Sequence, residues 1–388
     1  MIRRPRLSEA PAAVRSAVAE LLGSPLHAEH PAAAGFTRSI ASVVIGTGGE
    51  RLFIKAAPTD NDHGETGETV KSINAVNTVN SHDKTINTVN TVNSDSKAVD
   101  TAETVDSHSK TINTVKTVDG KTINTVETIN GDGKTAATIG AVEAGALLAG
   151  HIGDLGPRLV GFIAIGDWRI AAYEVIDGEP VTRWTDADRF ALRAVMQRMH
   201  HLMEPCPTAG TSPYAVAFLP LLGTWQALNG TPATLDVDHI RGLPTEIPIP
   251  VLAGLESRWL PALIGGNALH HGDLRRDNFV RQPDGRLRIV DWTHLWTAPG
   301  WMDLVRLAPD LAACGHDPEQ LLRDSPWHDA PGEHVDVALA GLAGRAWREG
   351  LLPEVPELPG LRSMQREQAV HLLKWLGYRL RSATRRAP

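Results

Sequence analysis

Apolar and polar positions change period along the chain. From Glu9 to Leu22 (EAPAAVRSAVAELL) apolar residues recur three or four apart, the pattern of an amphipathic helix. The stretch PLHAEHPAAAGFTRSIASVVIGTGGERLFIKAAP, from Pro25, reads as strand, loop, strand, Gly-rich turn and strand. A short helical pattern surrounds Ala141 to Ala149. Two further strands follow near Arg158 to Ile165 and Trp168 to Val175, split by Gly166-Asp167. From Thr185 onward helical patterns dominate, interrupted by HHGD at His270 and by a short strand in RLRIVDW. A β-rich first half and a helical second half predict an α+β protein of two lobes. The crevice between them is expected near Tyr173 to Gly178.

One segment breaks this order. KSINAVNTVNSHD (from Lys71), KTINTVNTVNSDS (from Lys84) and KAVDTAETVDSHS (from Lys97) form a thirteen-residue repeat. KTINTVKTVDG (from Lys110) is two residues short, and KTINTVETINGDG (from Lys121) restores the length. Apolar residues fall at positions three, six and nine of each unit, which fits neither a helical period nor strand alternation. With three medium apolar side chains and no aromatic per unit, the segment reads as a solvated, loosely ordered, low-complexity insertion. A small solenoid or adhesive surface for a protein partner is the sharper alternative. Lengthening a loop from about ten to about eighty residues costs roughly 1.8 kcal/mol of closure entropy, which a host domain survives.

Composition narrows the classes. The 388 residues are 42% hydrophobic and 21% charged, ordinary for a globular protein large enough for two packed lobes. The first sixteen residues lack the apolar run of a secretory signal, and no window approaches eighteen apolar residues, so neither export nor a membrane span is expected. Cys206 and Cys314 lie far apart and read as small buried hydrophobes, which fits a reducing cytoplasm. Net charge is -7, and the 60–138 segment alone carries twelve Asp or Glu against seven Lys. No basic stripe of a nucleic-acid binder is present.

The chemistry concentrates in HHGDLRRDNFV, His270 to Val280, followed by RIVDWTHLWTAPGWMDL. Two carboxylates and a carboxamide within about twenty residues suit a metal site, a hydrolytic site or none. Zinc or di-metal hydrolysis would need a second His pair at ligand spacing, and none occurs. The sequence resembles the aminoglycoside phosphotransferase family, the small-molecule branch of the protein-kinase-like fold. The resemblance rests on His271-Gly272-Asp273 with Asn278, Asp291 after an apolar strand, Asp303 in GWMDL, and Lys55 in LFIKAA. HGD in place of HRD, DW in place of DFG and the lack of an APE-like segment set it apart from protein kinases.

The resemblance implies a β-rich nucleotide-binding lobe over 1–172, interrupted by the repeat at 60–138. A hinge follows at 173–178, then a helical catalytic and acceptor-binding lobe over 179–388. It implies Mg²⁺-dependent transfer of the γ-phosphoryl group of ATP or GTP to the hydroxyl of a small molecule. Such a site aligns a hydroxyl with phosphorus and neutralises charge on its oxygens. Asp273 would be the catalytic base. Asn278 and Asp291 would be hard oxygen ligands to Mg²⁺, and Arg275 a cation offsetting transition-state charge.

In the first lobe Lys55 would contact the α- and β-phosphates, with Glu143 fixing its ammonium and Glu65 or Glu68 as fallback. Thr37, Arg38 and Ser39 belong to a weak phosphate-covering loop, and Glu174 and Ile176 to the hinge whose backbone would hold the nucleobase. His271 would brace the catalytic loop, and Asp303 would tie the metal-binding loop to the helical lobe; His270 reads as incidental. Glu204, Asp236 and Asp238 are candidates for a polycationic acceptor, and one or two of the Trp residues for an aromatic wall. Beside this reading stands a nucleotide-binding module that no longer catalyses, with the repeat as its docking surface.

Overall fold

The computed structural model describes residues 5–32, 39–59, 79–81, 84–92, 98–106, 109–118, 121–130, 140–230, 242–243, 245–356 and 358–384. The chain divides into two compact units, Met1–Gly64 with Gly140–Pro388, and Glu65–Ile139.

In the larger unit, helix α1 (Ala12–Leu22) leads into strands β1 (Leu26–Pro31), β2 (Ile40–Gly46) and β3 (Arg51–Pro58). The smaller unit contains β4 (Val79–Ser81), β5 (Lys84–Val92), β6 (Ala98–Asp106), β7 (Ser109–Val118) and β8 (Lys121–Asn130), paired antiparallel in sequence order. The three-residue apolar spacing gave no reason to expect these strands. The β-branched Thr, Val and Ile that fill each unit favour the extended backbone whatever their spacing.

Chain order resumes in the larger unit with α2 (Ala141–Ala149), β9 (Leu159–Ile165) and β10 (Trp168–Glu174). Its main sheet is antiparallel, in the order β1-β2-β3-β10-β9. Alternation along β3 decides what each face carries. Leu52, Ile54 and Ala56 face α1 and join Val14, Val18 and Ile170 in one core. Ala57 falls on the other face, with Val142 of α2 and with Ala171 and Tyr173 of β10. Lys55 shares the parity of Ala57 and is register partner to Ala171, which puts it on the α2 face.

Beyond the sheet come β11 (Glu179–Pro180), α3 (Asp188–Met203), β12 (Ser212–Pro213), α4 (Tyr214–Phe218), α5 (Thr224–Gly230), α6 (Ile249–Glu256) and α7 (Trp259–Leu263). Then follow β13 (Ala268–His270), β14 (Phe279–Arg281), β15 (Leu287–Ile289) and β16 (Trp296–Ala298). The chain ends in α8 (Met302–Ala313), α9 (Pro318–Arg323), α10 (Gly332–Gly350) and α11 (Leu361–Thr384). Trp184, Trp225, Trp259 and Trp301 are buried in the core of this part. The sequence reading anticipated one short strand here. The structure adds two three-stranded sheets, β11-β14-β15 and β12-β16-β13, that frame the HHGD loop. Among the described residues no helix is long and apolar enough to cross a membrane.

Candidate active site

The HHGD loop follows β13 and is held from below by one buried carboxylate. Asp303, in the first turn of α8, accepts from the backbone N–H of His271 (2.9 Å) and of Gly272 (3.1 Å). His270 Nδ1 lies 3.0 Å from the same carboxylate, both side chains being 2% exposed. Burial pushes the Asp303 carboxyl up, but His270, His271 and the amide hydrogen bonds outweigh it and hold the group below its ordinary range. His270 is therefore not incidental, and Asp303 ties down the loop carrying Asp273 rather than the Asp291 loop directly.

The tie to the Asp291 loop is His271. Its Nε2 lies 3.0 Å from the Val290 carbonyl, and its Nδ1 is 3.3 Å from the Asp273 N–H. Those partners assign the neutral tautomer, with Nε2 donating and Nδ1 accepting. The ring is 1% exposed and packs edge-on to Trp292.

Gly272 makes the sharp turn possible. Its φ is +82°, and a Cβ there would come within 2.6 Å of the Trp296 ring. That ring is itself stacked on His294 at 3.9 Å between centroids and has little room to yield. Gly272→Ala is expected to destabilise the fold by about 2–4 kcal/mol, combining left-handed strain with overpacking. Urea denaturation of the two proteins measures it; an unchanged midpoint would show that the loop relaxes freely.

Asp273 sits at the head of this loop with its side chain 38% exposed. Arg306 of α8 donates from Nη2 to Asp273 Oδ1 at 3.0 Å, and Arg275 Nε lies 3.7 Å from the same oxygen. No described residue hydrogen-bonds to Oδ2. Asn278, 7% exposed, donates from Nδ2 to the Asp273 carbonyl at 2.8 Å, which orients its Oδ1 as the remaining acceptor. The Val290 N–H donates to the Asn278 carbonyl, so the Asn278 segment and the Asp291 loop are joined through the backbone as well.

Asp291 is the one non-glycine described residue with positive φ, at 69°. Asp tolerates this region better than most residues, and such conformations cluster at functional sites. Its Oδ1 forms a short ion pair with Lys55 Nζ, and the nearby ammonium holds its carboxyl well below the usual range. Asp291 is 47% exposed, so the pair contributes little to stability. Its consequence is positional: it joins a strand of the main sheet to a loop in the helical part.

The structure redistributes three of the expected roles. Glu143 is not the partner of Lys55; it lies 3.9 Å from Arg169 Nε. Arg169 shares the α2 face of β10 with Ala171, one alternation along, and supplies the cation that α2 meets there. Arg275 donates to Asp277 at 2.8 Å and rests against Met364 of α11, so it is drawn toward the helices as well as toward Asp273. The Glu174 side chain is taken by Arg288 (2.9 Å) and by the Arg158 N–H (3.1 Å), and its own N–H donates to the Arg158 carbonyl. Ile176 makes no backbone hydrogen bond among the described residues.

Ser39 precedes β2, while Thr37, Arg38, Glu65, Glu68, Asp236 and Asp238 lie outside the described residues. Glu204 is engaged by Trp327 Nε1 at 2.7 Å and His200 at 3.0 Å. Arg306 escaped the sequence reading. An Arg in an amphipathic helix is ordinarily solvated, and its only cue was the three-residue offset from Asp303, which puts both on one face.

Among the described residues no three His, Cys, Asp or Glu side chains gather as metal ligands. Asp291 and Asn278 offer only oxygen donors, on segments joined through the Val290 N–H. That set suits Mg²⁺, which keeps waters and substrate phosphates in its shell, better than a metal needing a full protein cage.

No family model matches the chain, and no curated protein does. Solved structures of small-molecule kinases are similar to it. An aminoglycoside phosphotransferase from Alicyclobacillus acidocaldarius is 12% identical, covering 76% of this chain and 92% of that one, with a TM-score of 0.45. A choline kinase from Streptococcus pneumoniae is 11% identical over 93% of this chain and 98% of that one, TM-score 0.45. An amicoumacin kinase solved with AMP-PNP, Ca²⁺ and Ami is 11% identical over 93% and 94%, TM-score 0.47. At such identities and scores, function has to be read from the geometry of the site itself.

Proposed function

We propose that the protein is a small-molecule O-phosphotransferase that moves the γ-phosphoryl group of ATP or GTP to a substrate hydroxyl with Mg²⁺. The observation that carries this is the Lys55–Asp291 ion pair, an ammonium from the sheet meeting a carboxylate from the helical part. A phosphate chain needs such a cation and a metal-holding carboxylate side by side.

Residues 1–172 outside the 60–138 repeat form the nucleotide lobe and 179–388 the catalytic lobe, with 173–178 between them. The backbone of Ile176, unpaired among the described residues, offers the nucleobase a donor and an acceptor. Asp291 and Asn278 Oδ1 would hold Mg²⁺, which when bound would neutralise charge on the phosphate oxygens. Lys55 turns from Asp291 toward the α- and β-phosphates. Arg306 fixes Asp273 through Oδ1, leaving Oδ2 to orient the acceptor hydroxyl and take its proton. Arg275 supports Asp273 and Asp277, and Asp303, His270 and His271 keep the loop rigid.

The test separates Lys55 from Glu143. In calorimetric titrations with Mg·AMP-PNP, Lys55→Met is expected to weaken binding more than tenfold, because the phosphates lose their charged partner. Glu143→Gln is expected to stay within about twofold, since its ion pair with Arg169 is long and part-exposed. Equal losses in the two variants would overturn this assignment of the nucleotide site.

A further inference from the structure

A small cavity lies beside Asp273, on the side of the helices. It is formed by α8, α10, α11 and the catalytic loop, with a volume of about 20 Å³. That is room for one or two water-sized oxygen atoms. Its polar lining is Arg275, Arg306, Arg345 and Gln368, on walls that include Val305 and Leu342, and no carboxylate lines it.

The carboxylates that balance Arg306 and Arg345 do not exhaust their donors. Arg306 spends Nη2 on Asp273, and its Nε is buried with no hydrogen-bond partner among the described residues. Arg345 donates from Nε to Glu349 at 2.5 Å, and its guanidinium lies 5.7 Å from the Phe218 ring centre. Neither of its Nη groups has a protein acceptor among the described residues. The other oxygen of Glu349 accepts from Gln365 Nε2 at 2.8 Å. The remaining carboxylates around the cluster face it from outside the cavity. Asp277 is paired with Arg275, and Asp310 accepts the Arg276 N–H at 2.7 Å.

We infer that this cavity is the acceptor's recognition pocket and that the acceptor is anionic there, carrying a carboxylate or phosphate-type oxygen group. The inference rests on the kinase reading and adds its substrate class. A buried guanidinium donor left unmet, as at Arg306 Nε, is costly unless an acceptor arrives, and planar guanidinium forks match carboxylate and phosphate oxygens. Two of the lining residues, Arg306 and Arg275, also touch Oδ1 of Asp273. An acceptor anchored by its anionic end therefore lies next to the base that takes its hydroxyl proton. A polycationic acceptor would instead set ammonium groups against guanidinium, which the engagement of Glu204 elsewhere does nothing to relieve.

The experiment is a calorimetric titration of the full chain, with Mg·AMP-PNP present, using D-glycerate, gluconate and glucose 6-phosphate. Glycerol, glucose and kanamycin serve as uncharged and cationic counterparts, and Mg·ATP turnover follows on the same panel. Anionic compounds are expected to bind at least tenfold more tightly than their counterparts. Arg345→Gln is expected to weaken them at least tenfold, seen as a raised KM, with kcat and Mg·AMP-PNP affinity unchanged. Arg345→Lys, which keeps the charge, is expected to recover most of that loss and excludes a mere folding defect. Nucleotide binding without any preference for anions, or an Arg345→Gln protein that binds them as well as wild type, overturns the inference and leaves the kinase reading intact. An Arg345-dependent preference for anions with no nucleotide binding upholds the pocket and overturns the kinase reading.

Discussion

Replacing Asp273 with Ala is expected to lower kcat for phosphoryl transfer by about 10³-fold, the middle of the range for loss of a positioned general base. The expectation follows from how firmly the carboxylate is placed. Arg306 holds one oxygen at 3.0 Å, the backbone N–H is fixed by His271, and the carbonyl is fixed by Asn278. Only the second carboxylate oxygen is left for a substrate. Because none of these contacts involves Lys55 or Asp291, Mg·AMP-PNP affinity should change by less than about threefold. ADP release measured with an acceptor, beside calorimetric nucleotide binding, separates the two quantities. A variant that keeps more than a tenth of wild-type kcat would remove Asp273 from the role of base.

Asp291→Ala is expected to do the complementary damage, to nucleotide and metal rather than to the proton. It removes the one carboxylate of the two-oxygen donor set and leaves Lys55, 16% exposed, without its counter-charge. Mg²⁺-dependent nucleotide binding should fall by more than about 30-fold, the scale of losing a charged ligand. Metal-free nucleotide binding should fall far less, since Lys55 remains. Titrating AMP-PNP with and without Mg²⁺ against both proteins reads the difference, and an unaltered Mg²⁺ dependence would move the metal elsewhere.

The ion pair also fixes a pH expectation. Lys55 depresses the Asp291 carboxyl in the folded protein, so its contribution is present above the unfolded value near 3.9 and is lost only as pH falls through the lower folded value. Acid loss of activity between about pH 5 and 7 should therefore be unchanged in character by Lys55→Met.

The chemistry-bearing residues of the catalytic loop were legible because their spacing along the chain is short and local. His271, Asp273 and Asn278 occupy one loop, and Asp291 ends the next strand, so a linear pattern carries most of their geometry. Lys55 could be placed because alternation along LFIKAA puts it on one face of a strand. The partner of Lys55 was not legible. Glu143 and Asp291 are both carboxylates open to it, and the choice between them depends on register across β3 and β10, which sets Arg169 against Glu143, and on where α2 packs. Nor could the strands of the repeat be read, since periodicity reports which face is buried and says little where three-residue spacing favours no face.

The sequence by itself determined the two-part α+β order, the loop that holds an aspartate and an asparagine five residues apart, and the carboxylate that follows the next strand. These depend on local propensity and on spacings of a few residues. Only the tertiary structure decided which charges meet: Lys55 with Asp291, His270 with Asp303, Arg306 with Asp273, and three arginines around one cavity. The physical reason is distance along the chain. Ion pairs between segments 30 to 240 residues apart are chosen by packing, and packing is a property of the folded whole that no window of sequence contains.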